Sequence, residues 1–199
     1  NLGHGVLVND QADPTTADPS GSDASVDVSV VGSRFIGNGY SVSDRDGLRV
    51  NEGGNGHLTI TVKLSVSDDN GADGIEVDER GAGDVKIDML ASRVEGNGQF
   101  DPSDLDDGFE IDEYNDGSIV GEIVFSAADD NFEEGFDFNE NNLGDLRVNY
   151  AVDSDRLYLV GRGAGVEAAV TIGGMFPHLF AGVVGRAGDA GETGWGNFR

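Results

Sequence analysis

The sequence predicts an all-β fold that is wound as a parallel β-helix, or solenoid, of about five or six coils. Three observations support this prediction. A motif made of a glycine, two apolar residues in alternation and a closing acid recurs without gaps. A second alternating run begins six residues after the closing acid of the last four copies, and an asparagine follows that run at a fixed distance. The copies of the motif are Gly5–Asp10, Gly47–Glu52, Gly74–Glu79, Gly108–Glu113 and Gly135–Glu140.

The motif is expected to form the first strand of each coil, because its apolar residues recur with the period of a strand that buries one face. In a parallel solenoid, the equivalent residues of successive coils stack at about 4.8 Å. Two interior columns are therefore predicted. One contains Leu48, Ile75, Phe109 and Phe136, and the other contains Val50, Val77, Ile111 and Phe138.

The second strand is expected to begin at the same position of every copy, namely Val26, Leu58, Val85, Ile119 and Leu146. A weaker third strand follows, between a recurring serine and a recurring asparagine. Buried amides can bond to one another and to backbone groups at a tight inner turn. We therefore predict a structural asparagine ladder made of Asn38, Asn70, Asn97 and Asn131.

The repeat predicts two regions in the chain. Its basic length is 27 residues, from Gly47 to Gly74, and the longer step to Gly108 contains an insertion after Asn97. Surface loops accept such insertions, so residues 1–172 are assigned to the β-helix. Residues 173–199 are assigned to an apolar cap and a Gly-rich tail, because the end of a solenoid must be covered. A docking surface for another subunit is the alternative role of this apolar segment.

The rhythm Ser-x4-Asn followed by Gly-apolar-x-apolar resembles the right-handed parallel β-helices of the pectate-lyase-like superfamily. The resemblance covers roughly residues 5 to 160 and includes the inward asparagine stack. It implies a right-handed parallel β-helix. It implies no single activity, because this superfamily includes lyases, glycosidases, epimerases, adhesins and structural filaments. A β-propeller or a β-sandwich is the alternative architecture.

The composition restricts the partners of the protein. The chain has 38 Asp and Glu against 12 Lys and Arg, a formal net charge of −26, which disfavours nucleic acid and favours cations. It has no cysteine for a thiolate metal site and no apolar run of the about 18 residues that a transmembrane helix needs. A start at Asn1 without an initiator Met is compatible with a processed segment, and we expect an extracellular or cell-surface location.

The polar positions of the first strand are expected to form outward columns in which carboxylates stack. Two carboxylates about 4.8 Å apart repel by about 1 kcal/mol in water. Calcium would offset this repulsion, because it takes about six to eight oxygen ligands. The predicted ligands are Glu76, Asp78, Glu110 and Asp112, and the second candidate site is the inserted loop with Asp101, Asp104, Asp106 and Asp107. Simple solvation of the acidic face is the alternative to both sites.

These observations favour a non-catalytic structural module that binds calcium and self-associates through the ends of the β-helix. The alternative is a lyase or epimerase that acts on an acidic polysaccharide. In the lyases that the chain resembles, an Arg or Lys beside the calcium-binding acids abstracts a proton, and the candidates are Arg49, Lys86 and Arg147. A glycan-binding adhesin is the third interpretation, although few aromatic residues are expected at the surface to stack on sugars.

Overall fold

A computed structural model describes residues 1–12, 20–40, 44–99, 106–142 and 144–149, and the backbone alone of residues 150–151, 158–162, 182–186 and 193–196. The chain divides into two compact units, Asn1–Tyr150 and Ala151–Arg199. None of the described segments is a helix that is long and apolar enough to cross a lipid bilayer.

The strands of the first unit are short and follow one another at regular intervals. They are β1 (Val6–Asn9), β2 (Val26–Val31), β3 (Arg34–Ile36), β4 (Leu48–Glu52), β5 (Leu58–Lys63), β6 (Val66–Asp68), β7 (Ile75–Glu79), β8 (Val85–Leu90), β9 (Arg93–Glu95), β10 (Phe109–Glu113), β11 (Ile119–Val124), β12 (Ala127–Asp129), β13 (Phe136–Glu140) and β14 (Leu146–Ala151). Successive strands along the chain belong in turn to a first, a second and a third sheet. The sheet orders are β1-β4-β7-β10-β13, β2-β5-β8-β11-β14 and β3-β6-β9-β12.

The strand pairs of these sheets run parallel and keep the register of the repeat. In the first sheet, Leu48 pairs with Ile75, Ile75 with Phe109, and Phe109 with Phe136. In the second sheet, Leu58 pairs with Val85, which pairs with Ile119. The prediction of an all-β fold with stacked parallel strands is confirmed.

The interior is filled by the apolar residues of the first and second strands. Those that are at most 3% exposed in these two sheets are Leu48, Val50, Leu58, Ile60, Val62, Ile75, Val77, Val85, Ile87, Met89, Phe109, Ile111, Ile119 and Ile123. Phe109 packs edge to face on Phe138 with ring centroids 5.6 Å apart. Burial of each large side chain contributes about 1.5–3 kcal/mol, so these columns hold the coils together.

A chain of amide hydrogen bonds lines the corner after the third sheet. Asn38 Nδ2 donates to Asn70 Oδ1 at 2.8 Å, and Asn70 Nδ2 donates to Asn97 Oδ1 at 2.8 Å. Asn97 Nδ2 in turn donates to Asn131 Oδ1 at 2.9 Å. At the other end, Asn1 Nδ2 donates to Asn38 Oδ1 at 3.3 Å. The amides thus connect successive coils inside the turn.

A row of serines holds the corner between the second and third sheets. The backbone N–H of Ser65 donates to Ser92 Oγ at 3.1 Å, and equivalent bonds join the neighbouring coils. The residue before each serine has a positive φ, as in Leu64 (53°) and Phe125 (50°). A left-handed residue turns the chain within one position, which explains the abrupt change of sheet.

The second unit is described only in part. Strand β15 (Tyr158–Arg162) pairs in parallel with β16 (Gly182–Arg186), and β17 (Thr193–Gly196) pairs with β16 in the antiparallel direction. The boundary predicted at 172/173 and the apolar residues 173–181 of the predicted cap lie outside the described residues.

Candidate metal centre

The outer face of the first sheet is more buried than the alternating sequence pattern predicted. Every residue of β7 is buried, and Glu76 and Asp78 are only 8% and 2% exposed. The long side chains of Arg49 and Arg80 cover this face, because they reach across to the carboxylates of β7. The carboxylates therefore lie in a medium of low polarity, where their ionisation depends on nearby charges.

Arg49 lies at the centre of one carboxylate cluster. Its Nη1 lies 2.6 Å from Asp44 Oδ1 and 2.5 Å from Glu76 Oε2. It also lies 3.5 Å from Asp46 Oδ2, while Nη2 lies 3.0 Å from Asp78 Oδ2. Burial by itself would lower the pKa of Arg49, but the surrounding carboxylates outweigh this effect and raise the pKa above its usual value. The guanidinium therefore remains charged and acts as the cation of this cluster.

Two of the predicted calcium ligands already form an ion pair or a hydrogen bond with another side chain. Asp78 Oδ1 lies 2.8 Å from Arg80 Nη2, and the Arg80 guanidinium lies 3.7 Å from the ring centroid of Tyr114. The Tyr114 hydroxyl donates a hydrogen bond to Asp112. Burial, and then this hydrogen bond, raise the pKa of Tyr114. Asp78 and Asp112 are thus stabilised without a metal ion.

A second cluster contains three carboxylates, those of Asp73, Asp107 and Glu110. Their oxygen atoms lie within 4.8 Å of one another. Asp73 and Asp107 are 4% and 2% exposed, and the Asp107 N–H donates to Asp73 Oδ1 at 2.5 Å. Burial raises the pKa of Asp107 to about 7 and, with the charge of Asp112, that of Glu110 to about 8. It also raises the pKa of Asp73 well above its usual value.

The two clusters occupy equivalent places in the repeat. Asp46, Asp73 and Asp107 each stand immediately before the glycine of a motif copy. Arg49 stands three residues after Asp46, but Glu76 and Glu110 take this place after Asp73 and Asp107. In the described part of the chain, no Lys, Arg or His forms an ion pair with Asp73, Asp107 or Glu110. The three carboxylates of the second cluster therefore converge without a cationic side chain among the described residues.

The structure does not bring the four predicted calcium ligands of the first sheet together in one cluster. Glu76 pairs with Glu110, and Asp78 with Asp112, on adjacent strands, but Glu76 belongs to the Arg49 cluster and Glu110 to the second one. Sequence reasoning missed Asp73, although the acid that precedes each glycine was a visible signal. In the inserted loop, Asp106 and Asp107 are buried, whereas Asp101 and Asp104 lie outside the described residues.

The basic residues considered for proton abstraction do not come together. Arg49 lies on the first sheet, whereas Lys86 and Arg147 are exposed on the second sheet. Arg147 lies 3.8 Å from Asp145 in an exposed ion pair. Proton abstraction requires a group whose pKa is lowered toward neutrality, but the pKa of Arg49 is raised.

The closing acids of the motif are the main departure from the predicted outer face. Glu52, Glu79 and Glu113 are charged residues of a type that is usually exposed, yet each is 0% exposed. The turn that follows curls around the carboxyl group, so that the Gly81 N–H donates to Glu79 Oε1 at 2.9 Å and the Gly117 N–H to Glu113 Oε1 at 3.2 Å. A glycine four residues after each of these acids was the signal for this arrangement.

An open cleft lies on the third-sheet side of the solenoid. Its volume is about 780 Å³, and the described residues of its lining, which include Asp68, Glu95 and Asp130, contain no aromatic residue. This described part of the lining offers no ring on which a sugar could stack. Two aromatic residues of the sequence, Phe100 and the side chain of Trp195, lie outside the described part of the chain.

Comparison of the chain with protein-family models, curated proteins and solved structures finds no match.

Proposed function

We propose that this protein is a non-catalytic structural module, extracellular or at the cell surface, in which calcium binds an acidic cluster on a β-helix. The observation that carries the proposal is the group formed by Asp73, Asp107 and Glu110, whose carboxylate oxygens converge within 4.8 Å. Buried carboxylates at this distance repel strongly when they are ionised, and a cation among them offsets this repulsion. In the neighbouring cluster that cation is Arg49.

Calcium fits this group better than a softer metal. All three side chains offer carboxylate oxygens, and calcium binds hard oxygen ligands with flexible geometry. Three carboxylates supply part of its coordination, and water or backbone carbonyls would supply the rest. The ligands that we propose are Asp73, Asp107 and Glu110, in place of Asp78 and Asp112, which Arg80 and Tyr114 already engage.

The finer features of the fold belong to the same proposal. A right-handed winding is supported by the general preference of parallel crossover connections, of which about 98% are right-handed. The rotation of strands among three sheets and the row of bonded asparagines support a β-helix of about five or six coils that is similar to the pectate-lyase-like superfamily.

The outer edge of the first coil supports self-association. Strands β1, β2 and β3 each lie at the end of a sheet, and no described strand pairs with their outer side. Apolar side chains at this edge are exposed, including Val6 (42%), Leu7 (48%) and Val31 (60%). An open edge with exposed apolar residues favours pairing with a second copy of the chain.

Calcium binding is tested by calorimetry and by thermal unfolding of the wild type and of Asp107→Asn. We expect calcium to raise the melting temperature of the wild type. At a free calcium concentration of a hundred times the dissociation constant, the free energy of unfolding should increase by about 2.7 kcal/mol. Asp107→Asn should fold but lose this response. The control is Asp116→Asn, which changes an exposed turn residue. Absence of calcium binding to the wild type, or an equal response of Asp107→Asn, would refute the site.

Self-association is tested by light scattering. Val31→Lys places a charge on the edge strand and should shift the assembly toward monomer. The matched control is Leu64→Lys, because Leu64 is similarly exposed (66%) but lies in an inner coil, at the corner between the second and third sheets. Equal masses for the wild type and Val31→Lys would refute assembly through this edge.

A further inference from the structure

The closing glutamates of the repeat form a row inside the solenoid. Glu52 pairs with Glu79, Glu79 with Glu113 and Glu113 with Glu140 in the register of the first sheet. Glu52, Glu79 and Glu113 are among the largest fully buried side chains of the described residues. On adjacent strands, Glu79 lies between Glu52 and Glu113 and interacts with both. The row thus passes from coil to coil in the same manner as the asparagines.

Glu79 and Glu113 each have one oxygen bonded to the turn and one that receives no such bond, whereas neither oxygen of Glu52 receives a hydrogen bond from the described residues. Glu113 Oε1 accepts from the N–H groups of Asn115 at 3.0 Å and Gly117 at 3.2 Å. Glu79 Oε1 accepts from Gly81 at 2.9 Å. The Oε2 atoms of Glu79 and Glu113 are buried and receive no hydrogen bond from an N–H or O–H group of the described residues. A buried carboxylate oxygen without a donor is costly, and two carboxylates in contact repel each other.

We propose that Glu52, Glu79 and Glu113 form a carboxyl ladder, in which protons shared between successive side chains bond the coils together at neutral pH. Each shared proton turns one carboxylate oxygen into a donor for its neighbour. The proton therefore satisfies the buried oxygen and removes the repulsion in one step.

The linear arrangement favours protons over a metal ion. The carboxylate groups of the described residues that converge as a metal site requires do not include Glu52, Glu79 or Glu113. The turn backbone also occupies the space beside the carboxyl groups, since a Cβ added at Gly117 would lie 2.9 Å from Glu113 Oε1. A row in which each carboxyl meets only its neighbours above and below suits a hydrogen bond.

Few other titratable groups act on the carboxyl ladder. Asp10 and His57 act on Glu52 at one end, and Glu140 acts on Glu113 at the other. Burial, and then the interactions with the neighbouring side chains of Glu52 and Glu113, raise the pKa of Glu79 to about 9. Burial is also the main cause that raises the pKa of Glu52 and of Glu113.

The pH dependence follows from these directions. Above about pH 4.3 an unfolded glutamate loses its proton, whereas the folded ladder keeps it. The stability that Glu79 contributes is therefore complete below about pH 4.3, declines as the pH rises, and is lost above its folded pKa of about 9. Alkali should thus loosen this corner of the solenoid.

Glu79→Gln tests the proposal, because a glutamine has the shape of a protonated glutamate and keeps its donor at every pH. We expect the melting temperature of the wild type to fall between about pH 5 and about pH 9, and that of Glu79→Gln to fall less. The two proteins should melt alike at the acid end, and the variant should melt higher at the alkaline end. Glu122→Gln, on the exposed face of β11, is the control and should follow the wild type.

Infrared spectroscopy of the wild type provides a measurement that does not depend on a variant. A band from protonated carboxyl groups should be present at about pH 7 and disappear in alkali. Its absence at about pH 7 would overturn the proposal. So would a Glu79→Gln variant that follows the wild type at every pH, or a stabilisation by calcium that only Glu79→Gln loses.

Discussion

Replacement of Asn97 by alanine tests how the asparagine row stabilises the coils. Asn97 is 0% exposed and lies in the middle of the row. Its Oδ1 accepts from the Asn70 N–H at 3.2 Å and from Asn70 Nδ2 at 2.8 Å. Its Nδ2 donates to Asn131 Oδ1 at 2.9 Å and to the Ser67 carbonyl at 3.2 Å. Alanine removes all of these bonds.

The size of the stability loss depends on which partners of Asn97 keep another hydrogen bond in the variant. Asn70 Nδ2 also donates to Ser67 Oγ at 2.9 Å, and Asn131 Oδ1 still accepts from the Asn97 N–H at 3.2 Å. The Asn70 N–H loses its acceptor and remains buried. One orphaned donor costs about 1–3 kcal/mol, and each of the other lost bonds costs about 0.5–1.5 kcal/mol. We therefore expect Asn97→Ala to lower the free energy of unfolding by about 3–7 kcal/mol.

Urea unfolding followed by circular dichroism measures this loss, and hydrogen exchange of the Asn70 amide localises it. The control is Asn55→Ala, because the exposed Asn55 donates to the exposed Asp23 and should contribute at most about 0.5 kcal/mol. If Asn97→Ala loses less than about 1 kcal/mol, or if the Asn70 amide remains as protected as in the wild type, the amide row does not hold the coils together.

Three further substitutions test the packing and the charges. Gly83→Ala should prevent folding of its corner, because the added Cβ would lie 1.6 Å from the carbonyl oxygen of Gly56. Thermal unfolding measures this loss of stability. Phe109→Ala should cost about 3–5 kcal/mol in urea unfolding, since it empties a fully buried site. Arg49→Met should cost about 3–5 kcal/mol at neutral pH, because it leaves buried carboxylates without their cation. This last loss should shrink in acid, where the carboxylates become protonated.

Two of these predictions have a matched comparison. Gly32→Ala should cost only about 1–2 kcal/mol, because Gly32 has a positive φ but open space around its Cα. Lys63→Ala removes a partly exposed ion pair with Asp88 and should cost less than about 1 kcal/mol. Equal losses for Gly83→Ala and Gly32→Ala, or for Arg49→Met and Lys63→Ala, would contradict the assigned contacts.

The repeat in the sequence predicts the parallel strands because a strand has a side-chain period of two and a solenoid stacks identical positions. The spacing of the motif therefore places Leu48, Ile75 and Phe109 in one buried column, and the structure pairs them. The asparagines at the same place of each copy are joined by hydrogen bonds for the same reason. Handedness and any bound ion do not follow from such spacing.

The tertiary structure alone decided the ionic arrangement. Alternation predicts which side of the sheet Glu76 occupies, but not that the side chain of Arg49 reaches across from the adjacent coil and covers it. Alternation places Glu79 on the inner face with Ile75 and Val77, but a carboxyl group is rarely buried, so only the structure showed that its side chain lies inside the solenoid. Sequence spacing determines which residues stack, whereas the path of the turn and the reach of a long side chain determine which charges meet.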